Sequence, residues 1–207
     1  MAQRDSHSLG DFLRRIAIDY VRYDYHRYVV RSIPQGKDVI VIDEKLCHAY
    51  DVTWCRMTRT RRRRAGIAVV QYLRWKHTFV LLATEGVHKA FNKLRSYNIR
   101  ESPLHLCGYT IGIIGKSVSV QVSRRLWIRL EKLVRRVELQ SVETIERTLE
   151  SLPLYNFPGV IRQKHKLLHQ VNHHRKQAGL PSVNLILQPH LHQRFRGRSR
   201  ESTTASN

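Results

Sequence analysis

The stretch GIAVVQYLRWKHTFVLLAT, residues 66–84, holds two β-rich runs, 67–73 and 78–84, on either side of a polar break at 74–77. Valine, isoleucine, tyrosine and phenylalanine suit a pleated surface, and two such runs around a short polar break predict a β-hairpin. The apolar run 79–83 is five residues long, and 109–115 is interrupted by glycine. A membrane-spanning helix needs roughly 20 apolar residues, so the hairpin belongs to a folded core and no membrane span is expected.

Downstream of it, HKAFNKLRSY (88–97) predicts a short helix, and HLCGYTIGIIGKSVSVQVS (105–123) a second hairpin turning at Gly115 and Lys116. In its second strand Val118, Val120 and Val122 face one side, and serines with Gln121 the other. Upstream, KDVIVIDEKLCHAY (37–50) predicts a short helix starting near Asp38. YDYHRYVVRSIP (23–34) predicts a strand closed by Pro34 and Gly36. Leu9, Phe12, Leu13, Ile16 and Ala17 recur at helical spacing behind Ser8, a residue suited to capping, which predicts a first helix over 9–20.

The last third is helical by pattern. Leu126, Leu130, Leu133 and Val137 make one stripe, with Arg129, Lys132, Arg135 and Arg136 elsewhere on the wheel. SVETIERTLESLP (141–153) opens on a capping serine with an acidic first turn and stops at Pro153. A third helix spans about 158–178, with proline at its start and Gly179 then Pro181 at its end. The expected fold is α+β: an antiparallel sheet of about 4–5 strands in two hairpins packed with helices. It forms one domain over 1–180, with a helical subregion at 124–179 and a basic, flexible tail at 181–207.

Among 207 residues, 37 Lys and Arg stand against 16 Asp and Glu, a formal charge of +21. Self-repulsion of that size disfavours compaction, and nucleic acid is the commonest polyanion to relieve it. The charge is concentrated. Between Asp51 and Glu85 there is no carboxylate, while Arg56, Arg59, Arg61, Arg62, Arg63, Arg64, Arg74 and Lys76 give +8. Between Glu150 and Glu201 there is again none, while Arg162, Lys164, Lys166, Arg175, Lys176, Arg194, Arg196, Arg198 and Arg200 give +9, with six histidines besides. A merely solvated surface interleaves both signs.

The arginine cluster allows three readings: a localisation signal, a solvated helix, or a segment that contacts phosphates. The third needs forked donors with little counter-charge, which is what the run offers. On the helix 158–178, Ile161, Leu167, Leu168, Val171 and Ala178 can form one face. Arg162, His165, Lys166, His169, His173 and Lys176 recur at offsets of three and four along the other. Together with Arg175 these are the candidate nucleic-acid-binding residues of the second window.

Other patterns carry chemistry less well. HKLLH places His165 and His169 on one helical face, but the metalloprotease motif requires Glu where Lys166 stands. Cys47, His48, Cys55, His105 and Cys107 include zinc-ligand types without a closely spaced pair, and the three cysteines are expected as reduced thiols. Asp19, Asp24, Asp43, Glu44 and Glu85 follow no pattern that converges on strand ends, as two-metal phosphodiester chemistry would need.

PHLHQ, with His190 and His192 around Leu191, resembles the HUH motif of single-strand nucleases and replication initiators over three residues. That resemblance implies a metal held by the two histidines and a tyrosine nucleophile, for which Tyr20, Tyr23, Tyr25 and Tyr28 are candidates. Here the pair follows Pro189 in the basic tail, outside any predicted strand.

The expected function is therefore a nucleic-acid-binding protein, for DNA or RNA, that contacts phosphates without a cofactor or metal. The alternatives are a metal-dependent nuclease or strand-transfer and replication-initiation enzyme of a mobile element, and a structural protein of a ribonucleoprotein particle. The N-terminal MAQRDSHSLGDF lacks the apolar core of a secretory signal, so a cytoplasmic or nucleoid location is expected.

Overall fold

The computed structural model describes residues 6–52, 55–152 and 154–185. The chain forms two compact units, Met1–Ser123 and Arg124–Asn207. The first is a mixed α/β assembly and the second is helical, so the fold class is α+β as the sequence predicts.

In the first unit four antiparallel strands, β1 (Arg27–Ser32), β2 (Val70–Trp75), β3 (Thr78–Ala83) and β4 (Tyr97–Asn98), form a sheet of order β2-β3-β1-β4. The predicted hairpin is β2 and β3, in register from Val70↔Ala83 to Trp75↔Thr78. Its two-residue turn puts Lys76 at φ 54. Apart from Trp75 and Thr78 at the turn, every residue of the two strands is buried. Both faces must therefore be covered, which is why the runs are mostly apolar without strict alternation, Gln71 and Arg74 being buried among them.

Helix α1 (Leu9–Arg14) and helix α2 (Val39–Ala49) supply the cover. Ile42, Leu46 and Cys47 of α2 pack with Val29, Val70, Tyr72, Phe79 and Leu81 on one face of the sheet. Phe12, Leu13, Ile16 and Ala17, all fully buried, lie in the segment that packs against β2 from the N-terminal side. Ser8 caps as expected, its Oγ accepting from the Asp11 amide at 3.1 Å, and at Asp38, where the second helix is expected to start, Oδ1 accepts from the Ile40 amide at 2.8 Å. Beyond Arg14 the first helix widens into a π-helical segment, Arg15–Tyr20, and closes in one 3-10 turn, Val21–Tyr23. Asp24, at φ 68, ends it and turns the chain towards β1.

The helix predicted over 88–97 does not form. A single 3-10 turn, Phe91–Lys93, follows His88, and Tyr97 and Asn98 instead pair with Tyr28 and Arg27 as β4. The open edge of β1 offers them a ladder, and that pairing outweighs a weak local helical preference. The short helix α3 (Arg56–Arg64) precedes β2, and the loop after β3 fixes its end. The Val87 amide donates to Gly66 O and the Ala68 amide to Val87 O, both at 3.1 Å. Gly86, at φ 120, passes so close that a Cβ there would collide with the Gly66 carbonyl oxygen.

A second sheet, β5 (Leu104–Leu106), β6 (Tyr109–Ile114) and β7 (Ser117–Val122), contains the predicted hairpin of 105–123 with its turn at Gly115 and Lys116. It also contains a third strand, so among the described residues the strands number seven in two sheets instead of four or five in one. β5 has three residues, too few to show a period. The turn that joins it to β6 uses Cys107 and Gly108, both at positive φ, as a tight hairpin demands. In β7 Val120 and Val122 are buried as expected, and Ser119 is buried with them.

The second unit contains α4 (Arg124–Arg135), α5 (Val142–Glu150) and α6 (Pro158–Gln177). Ser141 caps α5 by accepting from the Thr144 amide at 3.3 Å, and α6 opens on Pro158 in its first turn and is followed, after Ala178, by Gly179 at φ 71. Leu130 and Val134, Ile145 and Leu149, and Val160, Leu167 and Val171 are the buried apolar side chains of its three helices, with Leu152, Phe157 and Val183 buried outside them. The stripe on α4 is rotated from the predicted one: Val134 is fully buried while Leu133 is 46% exposed. The two are adjacent and both fit a 3.6-residue repeat with Leu130, so the pattern alone does not choose between them. Among the described residues no helix is long and apolar enough to cross a membrane.

Candidate nucleic-acid interface

The arginine cluster folds as α3, a nine-residue helix with no buried residue. Arginine is a strong helix former, and the four arginines 61–64 occupy the last turn, where positive charge complements the helix dipole. Two side chains tie the helix down. Arg62 Nη1 and Nη2 both donate to Asp51 Oδ2 at 3.3 Å. Arg63 Nη2 donates to the Tyr23 carbonyl at 2.8 Å, and its guanidinium lies 4.7 Å from the centre of the Tyr25 ring. Arg56, Arg59, Arg61 and Arg64 meet no carboxylate among the described residues, and all but the half-buried Arg59 are exposed.

On one side α3 borders a cleft of about 470 Å³ that also receives Tyr20, Tyr23 and Tyr25. Burial raises the Tyr20 phenol above its ordinary value, opposed by the nearby charges of Arg15 and Arg59, so the hydroxyl stays protonated at neutral pH. On the other side lies a hollow of about 550 Å³ lined by Arg62, Asp51, His88, Lys89 and Lys93. His88 Nδ1 accepts from the Phe91 amide at 3.1 Å, which leaves Nε2 to carry the proton of the neutral ring, 3.7 Å from Asp51 Oδ2.

The remaining candidates of the first unit divide. Lys76 is exposed at the hairpin turn, its ammonium 4.9 Å from the centre of the Trp75 ring. Arg74 is 7% exposed, and its Nε donates to Asp43 at 3.0 Å inside the unit. It therefore leaves the candidate surface, because its position on β2 turns its charge into the core.

In the second unit, Arg162, His165, Lys166, His169, His173 and Lys176 all lie on α6 outside its buried face. The opposite face buries Val160, Lys164, Leu167, Val171 and Arg175. Arg175, 1% exposed, is the other candidate that the structure withdraws. Its Nε donates to Pro181 O at 2.7 Å, and its Nη1 to Glu138 O at 3.0 Å and Gln140 O at 2.7 Å. Desolvation lowers the ammonium of the buried Lys164 below its ordinary value. Of the five Lys and Arg on α6, three thus remain at the surface.

The chemical patterns are dispersed. Cys47 is buried in the core while Cys55 and Cys107 are exposed, and among the described residues no group of three His, Cys, Asp or Glu could hold a metal ion. Tyr28 donates its hydroxyl to Ser102 O and Pro103 O from a buried position, and Tyr25 is buried beneath Arg63. His190, His192 and the tail arginines 194–200 lie outside the described residues.

No protein-family model matches the chain, and neither a curated protein nor a solved structure matches it. The candidate interface therefore rests on its own geometry. The tyrosines beside α3 escaped the charge-based reading. In the sequence they stand only as candidate nucleophiles of the HUH resemblance, and their spacing, Tyr20, Tyr23 and Tyr25, is that of ordinary strand and core aromatics.

Proposed function

We propose that this protein binds nucleic acid through the phosphate backbone, with α3 as the contact of the first unit and the exposed stripe of α6 as that of the second. The observation that carries the reading is α3. Six guanidinium groups stand on nine residues of a surface helix, and five of them meet no carboxylate among the described residues. Such a helix repels itself unless a polyanion lies against it, and guanidinium forks fit phosphate oxygens bidentately.

Contacts of this kind displace condensed counterions, so affinity falls linearly in log–log form with salt. Fluorescence anisotropy with a labelled 20-mer oligonucleotide tests it. Binding should weaken at least tenfold between about 50 and 200 mM salt, roughly the loss expected when several phosphates are neutralised. The fourfold variant Arg56→Gln, Arg59→Gln, Arg61→Gln and Arg64→Gln should bind more weakly and with a shallower salt slope. Affinity that ignores salt, or that survives the fourfold change, removes the proposal.

A further inference from the structure

The cleft between α3 and the segment Tyr20–Tyr25 brings three guanidinium groups of one helix together with three tyrosine rings. We propose that it holds an unpaired base, so that the preferred ligand is single-stranded nucleic acid. This rests on the phosphate-binding reading of α3 and adds a substrate class to it.

Arg56, Arg59 and Arg63 recur at three and four residues along α3, which places them on one helical face, and all three line the cleft. Facing them, the chain reverses at Asp24, whose left-handed backbone sends two neighbouring tyrosines different ways. Tyr25 turns inward, edge-on to Tyr20 at 5.4 Å and 84°, with the Arg63 guanidinium over its ring. Tyr23 stays at the rim, 58% exposed, while its own carbonyl fixes Arg63. The backbone of Tyr23 is thus anchored to α3, and its exposed ring lines the same cleft as two guanidinium groups, Arg56 and Arg59, that meet no carboxylate among the described residues. Asp19 also borders the cleft, and Arg14 Nη1 meets its carboxylate at 3.1 Å, so its charge is offset.

Those parts are what an unpaired nucleotide requires. A base presents a π-face to an aromatic ring while its flanking phosphates meet cationic groups, whatever the sequence. Inside a duplex both faces of each base are occupied by stacked neighbours, so the ring finds nothing to stack on. A base stacked on Tyr23 carries phosphates that reach Arg56 and Arg59. Tyr25 is buried beneath the Arg63 guanidinium, which leaves Tyr23 as the exposed ring of the cleft.

Anisotropy on the full chain at one moderate salt concentration tests this, using a labelled 20-mer as single strand and as duplex, in DNA and RNA forms, and an abasic 20-mer with the same phosphates. The intact single strands should bind at least tenfold tighter than the duplexes and the abasic strand. Tyr23→Ala should lose about that factor on the single strands alone, leaving duplex affinity and salt slope as they were. Tyr23→Phe, which keeps the ring, should bind as the wild type does. If the abasic strand binds the wild-type chain as tightly as the intact one, the base site is wrong while salt-dependent binding still supports α3. If no strand binds even at low salt, both readings fall together. A folding defect in Tyr23→Ala would show in its circular dichroism, and the abasic comparison, made on the unaltered chain, decides the matter without it.

Discussion

Arg74 Nε donates to both carboxylate oxygens of Asp43, at 3.0 and 3.1 Å, in the core of the first unit. Tyr72 adds its hydroxyl to Asp43 Oδ1 at 2.5 Å, and Arg74 Nη1 reaches back to Lys76 O at 2.8 Å. Burial, with the hydrogen bond to Asp43 and its charge, raises the Tyr72 phenol far above its ordinary value, so it remains a donor to Asp43. The pair ties α2 to β2. Removing one member strands the other charge, so Asp43→Ala should cost about 3–5 kcal/mol of stability. The double change Asp43→Leu with Arg74→Met should cost less than Asp43→Ala, because no charge is left unmet. Urea unfolding monitored by circular dichroism checks both, and an Asp43→Ala protein as stable as the wild type would refute the role given to the pair.

Arg175 does for the helical unit what Arg74 does for the first. Its donors satisfy the carbonyls of Glu138, Gln140 and Pro181, which fastens the end of α6 to the loop after α4 and to the chain beyond Gly179. His174 supports the same corner, its Nδ1 lying 3.0 Å from Glu138 Oε2. Arg175→Ala should destabilise by about 3 kcal/mol, since hydrogen bonds from a charged donor contribute about 1.5–3 each before losses. Arg175→Lys should recover less than half of that, because a single ammonium cannot span three carbonyls set for a planar fork. Thermal unfolding of the two variants gives the order; equal stability of Arg175→Lys and wild type would show that the fork is dispensable.

Acid should weaken the first unit before its carboxylates protonate. His26 and His88 are buried, and each Nδ1 is engaged as an acceptor, from Arg100 Nε at 3.3 Å and from the Phe91 amide at 3.1 Å. Burial holds both imidazoles below the usual histidine value. Arg100 adds to this at His26 while Asp24 and Glu85 oppose it; at His88 Asp51 opposes and Arg62 adds. The unfolded chain protonates these residues near pH 6.5, whereas the folded chain resists. Their contribution is therefore complete above about pH 6.5 and is lost as pH falls from there through the folded values. The urea midpoint should drop between about pH 7.5 and 5, and His26→Gln with His88→Gln should flatten that drop. A midpoint constant over this interval would contradict the assignment.

Local rules carried most of the fold. The hairpin of β2 and β3, the caps Ser8, Asp38 and Ser141, and the limits of α6 follow from short-range chemistry and stand where the sequence puts them. What escaped it depends on partners distant in sequence: β4 exists because β1 has an open edge, and β5 because β6 pairs with it. The same holds for charge. Arg74 and Arg64 look alike in sequence, and only the two-sided cover of β2 sends one into the core. On α6, Lys164 and Arg175 share the offsets of the buried Leu167 and Val171, so helical periodicity by itself is enough to assign them to the inner face.

That division of α6 makes the contribution of the second unit measurable. With Lys164 and Arg175 buried, the fixed surface charge of the helix is Arg162, Lys166 and Lys176, alongside His165, His169 and His173. If this stripe contacts phosphates, each lysine or arginine removed should lower the salt slope by about one unit or slightly less. The variant Arg162→Gln, Lys166→Gln and Lys176→Gln should thus lose roughly two to three units of slope, with no change in thermal stability because all three side chains lie outside the buried face. Lys164→Met is the control. It removes one positive charge from the same helix but from its inner face, so it should leave the slope unchanged while raising stability, since desolvation already disfavours the buried ammonium. An equal loss of slope per charge in the two variants would mean that binding follows net charge alone, and the stripe would lose its role.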